Sequence, residues 1–295
     1  MTDRVHIRAP AKINLWLRVF GRDGKGYHAI ETLFQLVDLS DELVIERAAS
    51  GVSLDGAPAG LGAVRENLVV RAAERFLRDA GVKGGARITL TKNIPWSAGL
   101  GGGSSDAAST LLALDAIFAH PLSAADLMAL GAEIGSDVPF FLSGAALALG
   151  WGRGERLLSL PPLPSLPVLI VPPAAAVRTA DAYGWIDQDR GRAEQTGEFA
   201  AVVPASSLGD WGEVRRRSHN DFESAVAGRL PAIGHWLDRL RESDAFLVRL
   251  CGSGGAVVAL YETDRQRDHA WDLLRNPAIL RSRTLSEPYR LTVDG

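Results

Sequence analysis

Apolar and polar residues alternate along two early segments of the chain, and this alternation predicts β-strands. It runs through Val5–Phe20, where Pro10 predicts a break into two strand segments. Because side chains on a strand alternate between two faces, Lys12 and Asn14 are expected to point the same way, opposite the apolar face. Ala86–Thr91 repeats the pattern and predicts a further strand.

Apolar residues at a spacing of three to four predict helices in the same half of the chain. One helix is predicted over residues 66–80, and a second follows Gly103. A third begins after Ser123, because a serine followed three residues later by an acidic residue, here Asp126, is typical of a capping box. Gly135 is expected to end this third helix.

The second half of the chain follows a proline-rich segment, Leu160–Pro167. Strands are predicted at Val168–Val171 and on both sides of a glycine turn at Cys251–Gly255, with helices near residues 179–186 and 269–274. The polar span 187–210 is expected to be a surface loop. Strands and helices mixed in both halves predict an α+β fold in two domains, residues 1–158 and 159–295.

The segment Pro95–Ala108, which reads PWSAGLGGGSSDAA, carries the clearest functional signal. Its four glycines lie between a predicted strand and a predicted helix, and they permit a close approach of ligand to the backbone. Ser104, Ser105 and Asp106 are expected to cap the start of that helix. Free N–H groups and the helix dipole favour negative charge there, so the segment predicts a phosphate-binding loop.

The known types of phosphate loop narrow this prediction. A Walker A loop needs a lysine after its last glycine, and this chain has Ser104 there. The dinucleotide fingerprint needs a third glycine at the same position. A plain flexible connection is the structural alternative, but such connections seldom lead directly into a capped amphipathic helix. A second glycine cluster, Gly150–Gly154, is better explained as a turn between strands.

Composition limits the classes of function. With 46% hydrophobic residues, 23% charged residues and a net charge of -3, the chain is typical of a globular protein and has no electrostatic signature of nucleic-acid or membrane binding. No apolar run is long enough to cross a bilayer, and no signal peptide is evident. Cys251 is the only cysteine, so the chain can form no internal disulfide, and this favours a reducing cytoplasm as its compartment. The simplest interpretation of Cys251 is a small buried residue. The scattered histidines predict no structural metal site.

Lysine is rare in this chain: only four of its 32 basic residues are lysines, and Lys12 lies in an otherwise apolar strand. Asp137 lies in a turn that follows a predicted helix. A lysine and an aspartate beside a phosphate loop suggest phosphoryl transfer, in which Asp137 accepts the proton of an attacking hydroxyl and Lys12 stabilises the developing charge. Two structural alternatives stay open: a simple ion pair, or Asp137 as the cap of a helix near Pro139.

Several motifs together resemble the GHMP small-molecule kinase superfamily. They occur in the order typical of that superfamily and run from residue 10 to residue 254, so the resemblance covers nearly the whole chain. The motifs are PAKINLWL (Pro10–Leu17), GYH (Gly26–His28), AGLGGGSSDAA (Ala98–Ala108), GSDVPFFL (Gly135–Leu142), GRGE (Gly152–Glu155), HNDFE (His219–Glu223) and GSG (Gly252–Gly254). PAKINL together with GYH is similar to the branch that acts on a diphosphocytidyl sugar alcohol. The resemblance implies a two-domain GHMP kinase fold, with an N-terminal ribosomal-protein-S5-like domain and a C-terminal ferredoxin-like domain.

The resemblance also implies roles for individual residues. Lys12 and Asp137 are the catalytic pair, and ATP, with Mg²⁺ nearby, is the phosphoryl donor. The loop that holds ATP consists of Pro95, Trp96, Ser97, Ala98, Gly99, Leu100, Gly101, Gly102, Gly103, Ser104 and Ser105, with Asn67 near the adenine. The residues implied for the cytidine end of the substrate are Asn14, Tyr27, His28 and Tyr183.

The implied reaction transfers the ATP γ-phosphate to a 2-hydroxyl of that small-molecule substrate, in the non-mevalonate route to isoprenoids. The implied assembly is a monomer or weak homodimer, without nucleic-acid or membrane partners. One departure from the superfamily pattern is Trp96-Ser97, which stands where smaller residues are usual. The alternatives are a superfamily kinase acting on homoserine or mevalonate, a nucleotide-binding module without transfer, and a dehydrogenase.

Overall fold

The computed structural model describes residues 3–24, 26–58, 63–173, 177–190 and 208–287. Two β-sheets organise this part of the chain. The strands of sheet A are β1 Arg4–Arg22, β2 His28–Ala48, β3 Gly51–Asp55, β4 Gly85–Thr91, β5 Leu147–Gly152 and β6 Arg156–Leu160. Their order in the sheet is β3-β4-β2-β5-β6, with β1 paired to β2.

Four helices accompany sheet A: α1 Leu68–Asp79, α2 Gly102–Ile117, α3 Ala124–Ile134 and α4 Val138–Leu142. Their apolar faces form one core with the sheet, in which Phe76 and Leu111 are fully buried beside Ile45 of β2. Ser123 and Asp126 form the predicted capping box, and Gly135 follows the last residue of α3. These local predictions are confirmed.

Sheet B contains four antiparallel strands in the order β10-β7-β9-β8, namely β7 Pro167–Val171, β8 Leu247–Leu250, β9 Val257–Leu260 and β10 Leu280–Arg283. The helices of this half are α5 Thr179–Arg190, α6 Trp211–Arg217, α7 Phe222–Arg229, α8 Pro231–Arg241 and α9 Asp264–Leu274. Strands and helices in this order form the ferredoxin-like arrangement.

Two expectations about these elements were wrong or incomplete, and some elements were missed. β1 is one continuous strand, because the register with β2 shifts at Pro10 and this irregularity accommodates a residue without an N–H. The span 187–210 begins as helix, since α5 extends to Arg190; residues 191–207 lie outside the described part. The strands β3 and β10 and the helices α6, α7 and α8 were not predicted.

A shared apolar core joins the two halves. Ile13 of β1 and Leu100 of the glycine-rich loop lie in the same buried cluster as Ile170 and Val258 of sheet B. The last strand of sheet A, β6, ends at Leu160. The predicted domain boundary after residue 158 stays a prediction. The shared core holds the glycine-rich loop at the junction of the halves.

Candidate active site

The glycine-rich loop lines a cavity of 480 Å³ where the two halves meet. Gly101 has a φ of +72° and is the N-cap residue of α2, so the loop leads directly into the N-terminus of a helix. A Cβ on Gly101 would lie 2.9 Å from Lys12 Cγ and from Phe141 Cζ, which leaves room for glycine only. The wall of the cavity comprises Glu66, Asn67, Leu68, Leu90, Lys92, Pro95–Ser104, Asp106 and Thr179.

The prediction that Ser104, Ser105 and Asp106 cap the start of this helix was wrong. The first helical hydrogen bond runs from the Ser105 N–H to the Gly101 carbonyl at 2.9 Å, so α2 begins before the serines. Ser105 and Asp106 are therefore buried within its first turns, and Ser105 does not line the cavity. Asn67, expected near the adenine, lies on the cavity wall and caps α1, its Oδ1 accepting from the Val69 N–H at 2.9 Å.

A buried charge cluster lies beneath the loop. Lys92 Nζ donates to Asp106 Oδ2 at 2.8 Å and to Asp41. Burial raises the pKa of Asp106 to about 7, and the charge of Lys92 opposes that rise. Burial alone would lower the pKa of Lys92, but the two carboxylates outweigh burial and raise it. The sequence prediction did not assign Lys92 a role, although a lysine next to the loop in a chain with few lysines was a usable signal.

The predicted catalytic pair comes together. Lys12 Nζ lies 3.5 Å from Asp137 Oδ2, although the two residues are far apart in sequence. Lys12 is buried, with a side-chain exposure of 4%, whereas Asp137 is 26% exposed. Asp137 occupies the N-cap position of α4 but its side chain accepts no capping hydrogen bond. The alternative in which the Asp137 carboxylate caps the helix is therefore ruled out.

Asn14 fixes the ammonium group of Lys12 in this pair. Lys12 Nζ donates to Asn14 Oδ1 at 2.8 Å, which confirms that both side chains point to one face of β1. The Asn14 amide in turn donates to Thr32 Oγ1 at 2.7 Å, and Thr32 donates to the Trp16 carbonyl at 2.8 Å. This buried chain leaves Lys12 little freedom to turn away from Asp137.

A smaller cavity of 200 Å³ lies against the Lys12–Asp137 pair. Gly99, Gly101 and Thr179 line both this cavity and the larger one, so the glycine-rich loop separates two adjoining spaces. Tyr183 of α5 also lines the smaller cavity. A group bound along the loop and a group bound in the smaller cavity would meet at the pair.

The aromatic residues expected at the cytidine end already contact other protein groups. His28 Nδ1 lies 2.7 Å from the Phe20 carbonyl, to which it must donate, and the His28 ring stacks on Tyr183 with centroids 5.0 Å apart. Tyr27 is 55% exposed, and the guanidinium of Arg153 lies over its ring at 3.7 Å. The pKa of Tyr183 is raised to about 12, mainly by burial and to a lesser extent by the nearby charge of Asp137.

Two polar residues at this end were missed by the sequence prediction. Asp187 pairs with Arg22, and its Oδ1 lies 3.1 Å from His28 Nε2. Burial would raise the pKa of Asp187, but the hydrogen bond from Arg22 and the charge of His28 lower it. Arg153 lines both the smaller cavity and a neighbouring one of 640 Å³. The spacing of Asp187, four residues after Tyr183, could have placed both on one face of α5.

A second glycine turn closes against the first. Gly99 has a φ of +80°, and a Cβ there would lie 1.9 Å from the carbonyl oxygen of Cys251. The Ala256 N–H donates to the Ala98 carbonyl at 3.2 Å. Buried Asn220 holds the same turn by donating to the carbonyls of Leu250 and Gly252, at 2.8 and 2.9 Å. The glycine-rich loop therefore depends on sheet B for its position.

Within the described residues, no helix has the length and apolar character needed to cross a membrane. Nor does the described part contain three or more histidine, cysteine, aspartate or glutamate side chains grouped to hold a metal ion.

Comparison with known proteins identifies the family. The models of the GHMP kinases N terminal domain and the GHMP kinases C terminal domain match residues 67–145 and 199–278. The 4-diphosphocytidyl-2-C-methyl-D-erythritol kinase of Moorella thermoacetica is 40% identical over 261 residues, which cover 88% of this chain and 90% of the relative. That of Deinococcus radiodurans is 40% identical over 86% of this chain and 83% of its own length. The chain belongs to this family of GHMP kinases.

Solved structures agree with this membership. A crystal structure of 4-(cytidine 5'-diphospho)-2C-methyl-D-erythritol kinase matches with a TM-score of 0.78 and 37% identity, over 95% of this chain and 98% of that one. Homoserine kinase from Cytophaga hutchinsonii, with a TM-score of 0.65 and 19% identity, shares the fold. The predicted α+β class and two-domain GHMP kinase fold are confirmed.

Proposed function

We propose that this protein transfers the γ-phosphate of ATP to the 2-hydroxyl of 4-diphosphocytidyl-2-C-methyl-D-erythritol, a step of the non-mevalonate route to isoprenoids. The family relatives are named for the kinase that acts on this substrate. The observation that carries the proposal is the Lys12–Asp137 pair, 3.5 Å apart, at the wall of a cavity that adjoins the glycine-rich loop.

The chemistry follows from the charges at the pair. The Asp137 carboxylate accepts the proton of the substrate hydroxyl, whose oxygen bonds to the γ-phosphorus as the bond to the β-phosphate oxygen breaks and ADP leaves. Lys12 stabilises the negative charge that develops on the attacking oxygen. Asn14 supports this role because its Oδ1 orients the ammonium at 2.8 Å. The N–H groups at the start of α2 bind the phosphates.

The cytidine end of the substrate, in this proposal, binds against Tyr27, His28 and Tyr183. An aromatic ring can stack on a pyrimidine, and Tyr27 would offer its face once Arg153 leaves it. His28 has a fixed ring orientation, since its Nδ1 is held by the Phe20 carbonyl. The methylerythritol end would then occupy the smaller cavity beside Asp137.

Mg²⁺ accompanies ATP in this proposal, and the chain offers a carboxylate for it. Asp106 lines the larger cavity, and its Oδ1 has no hydrogen-bond partner among the described residues. Proteins usually hold Mg²⁺ through one or two carboxylates together with substrate phosphates, so Asp106 fits as a ligand. The ion would neutralise charge on the β- and γ-phosphates.

An assay of ADP formation tests the proposal. We expect turnover with the diphosphocytidyl substrate, and far less with 2-C-methyl-D-erythritol 4-phosphate, which lacks the cytidine end. Asp137→Asn and Lys12→Met should each lower kcat roughly 10²- to 10⁴-fold while ATP still binds. The matched controls are Asp55→Asn and Lys83→Met, which change exposed residues outside both cavities.

Four outcomes would contradict the proposal. Binding of ATP without turnover on any alcohol would indicate a nucleotide-binding module. Equal turnover with and without the cytidine end, or preference for homoserine or mevalonate, would indicate another kinase of the superfamily. Full activity of Asp137→Asn would show that Asp137 is not the base that accepts the hydroxyl proton.

A further inference from the structure

Trp96 is exposed although it carries a large apolar ring. Its exposed fraction is 55%, one of the highest among the large hydrophobic residues of the described part. Within that part, no aromatic ring or cation contacts the face of its indole. By contrast, an arginine guanidinium lies over the ring of Trp185 and another over the ring of Trp271. An indole with a free face is poorly solvated by water and suited to stack on a flat partner.

The backbone presents this ring in a defined position. Pro95 has a restricted φ, and Ser97 has a φ of +54°, in the left-handed region that side chains other than glycine rarely adopt. The next residue, Ala98, is buried and accepts from the Ala256 N–H at 3.2 Å. Trp96 is thus bracketed by two constrained residues and anchored to sheet B, and such strain is often kept at binding sites.

The ring lies on the wall of the 480 Å³ cavity, in the size range of small-ligand sites. The apolar side chains of Leu68, Leu90 and Pro95 line the same cavity. The start of α2, with its free N–H groups, lines it too. The cavity therefore combines a wall that suits an uncharged flat ring with a helix N-terminus that suits phosphates.

We propose that Trp96 is the stacking surface for the purine base of the nucleotide and sets the affinity for it. This proposal rests on the proposed use of ATP. Phosphates gain nothing from an indole face, whereas every nucleobase presents a π-face to stack on. The bulky Trp96 thus supplies the contact to the base, while the N–H groups at the start of α2 hold the phosphates.

Binding measurements with two probes separate base stacking from loop distortion. Calorimetry on the intact protein would use ATP and inorganic triphosphate, which lacks the base. Trp96→Leu keeps apolar bulk without a flat ring, and we expect it to raise the Kd for ATP roughly 5- to 150-fold. The Kd for triphosphate should stay unchanged. Trp96→Phe, which retains a ring, should weaken ATP binding less than Trp96→Leu does.

Fluorescence gives an independent readout. ATP should change the tryptophan emission of the natural protein, triphosphate should not, and Trp96→Phe should abolish most of the ATP-induced change. Trp151→Leu is the matched control, because Trp151 is 40% exposed on β5 and lies outside that cavity. Thermal melting of each variant checks that it folds, and Trp96→Phe decides the question if Trp96→Leu does not fold.

Two results would overturn the proposal: an unchanged Kd for ATP in Trp96→Leu, or equal weakening of ATP and triphosphate. Neither measurement requires turnover. If the protein binds ATP through Trp96 but phosphorylates no alcohol, the proposed function fails and the stacking role stands.

Discussion

Gly99→Ala tests how far the glycine-rich loop depends on the second half of the chain. Gly99 has a φ of +80°, and its added Cβ would meet the Cys251 carbonyl oxygen at 1.9 Å and the Gly254 nitrogen at 3.2 Å. Both partners are backbone atoms, which cannot rotate away as a flexible side chain could. The loop and the turn at 252–254 must therefore separate.

The size of the effect follows from two contributions. A residue other than glycine in the left-handed region costs about 1–2 kcal/mol. Forcing an extra carbon into a packed site costs about 1–3 kcal/mol. We therefore expect the free energy of unfolding to fall by about 2–5 kcal/mol, a large share of the stability of a typical protein. Relieving the contact needs a shift of about 1 Å, and misplacement on that scale can slow catalysis roughly 100-fold.

The assay is thermal unfolding of the natural chain, Gly99→Ala and Gly103→Ala, followed by the ADP-formation assay on Gly99→Ala. Gly103→Ala is the matched control, since its Cβ would meet only Leu68 Cδ1 at 3.6 Å, an ordinary contact. Alanine is also favoured in a helix by up to about 1 kcal/mol, so this control should melt at or above the natural chain. Gly99→Ala melting as high as Gly103→Ala would refute the reasoning.

Two further predictions concern buried polar groups. Asp106 has a pKa of about 7 in the folded chain, compared with an ordinary value of 3.8. At pH values between these two pKa values, the native state keeps a proton that the unfolded state has lost. The contribution of Asp106 to stability should therefore fall as pH rises from about 4 to 7 and then level off. Urea titrations of the natural chain and of Asp106→Asn at several pH values isolate that contribution, and an identical pH dependence of the two would contradict the assignment. Asn220→Ala leaves the carbonyls of Leu250 and Gly252 without their donor, so we expect urea unfolding to report a loss of about 2–4 kcal/mol. A loss below about 0.5 kcal/mol would mean that water replaces the amide.

Short-range patterns in the sequence determined a good part of this site. Lys12 and Asn14 share a face because the strand period is a local property of the backbone. Ser123 caps α3 because its partner, Asp126, lies one turn away. The glycine-rich loop before α2 was predictable for the same reason. The superfamily motifs added the roles of Lys12 and Asp137, which stay proposals to be tested.

Only the tertiary structure decided which distant groups meet. The 3.5 Å approach of Lys12 to Asp137 depends on how α4 packs beside sheet A. Asp187 reaches His28 because α5 of the other half lies across it, and Arg153 covers Tyr27 from a strand turn far along the chain. The physical reason is range along the chain. Residue spacing specifies faces and caps within a few turns, whereas contacts between residues distant in sequence depend on how the elements pack around the core.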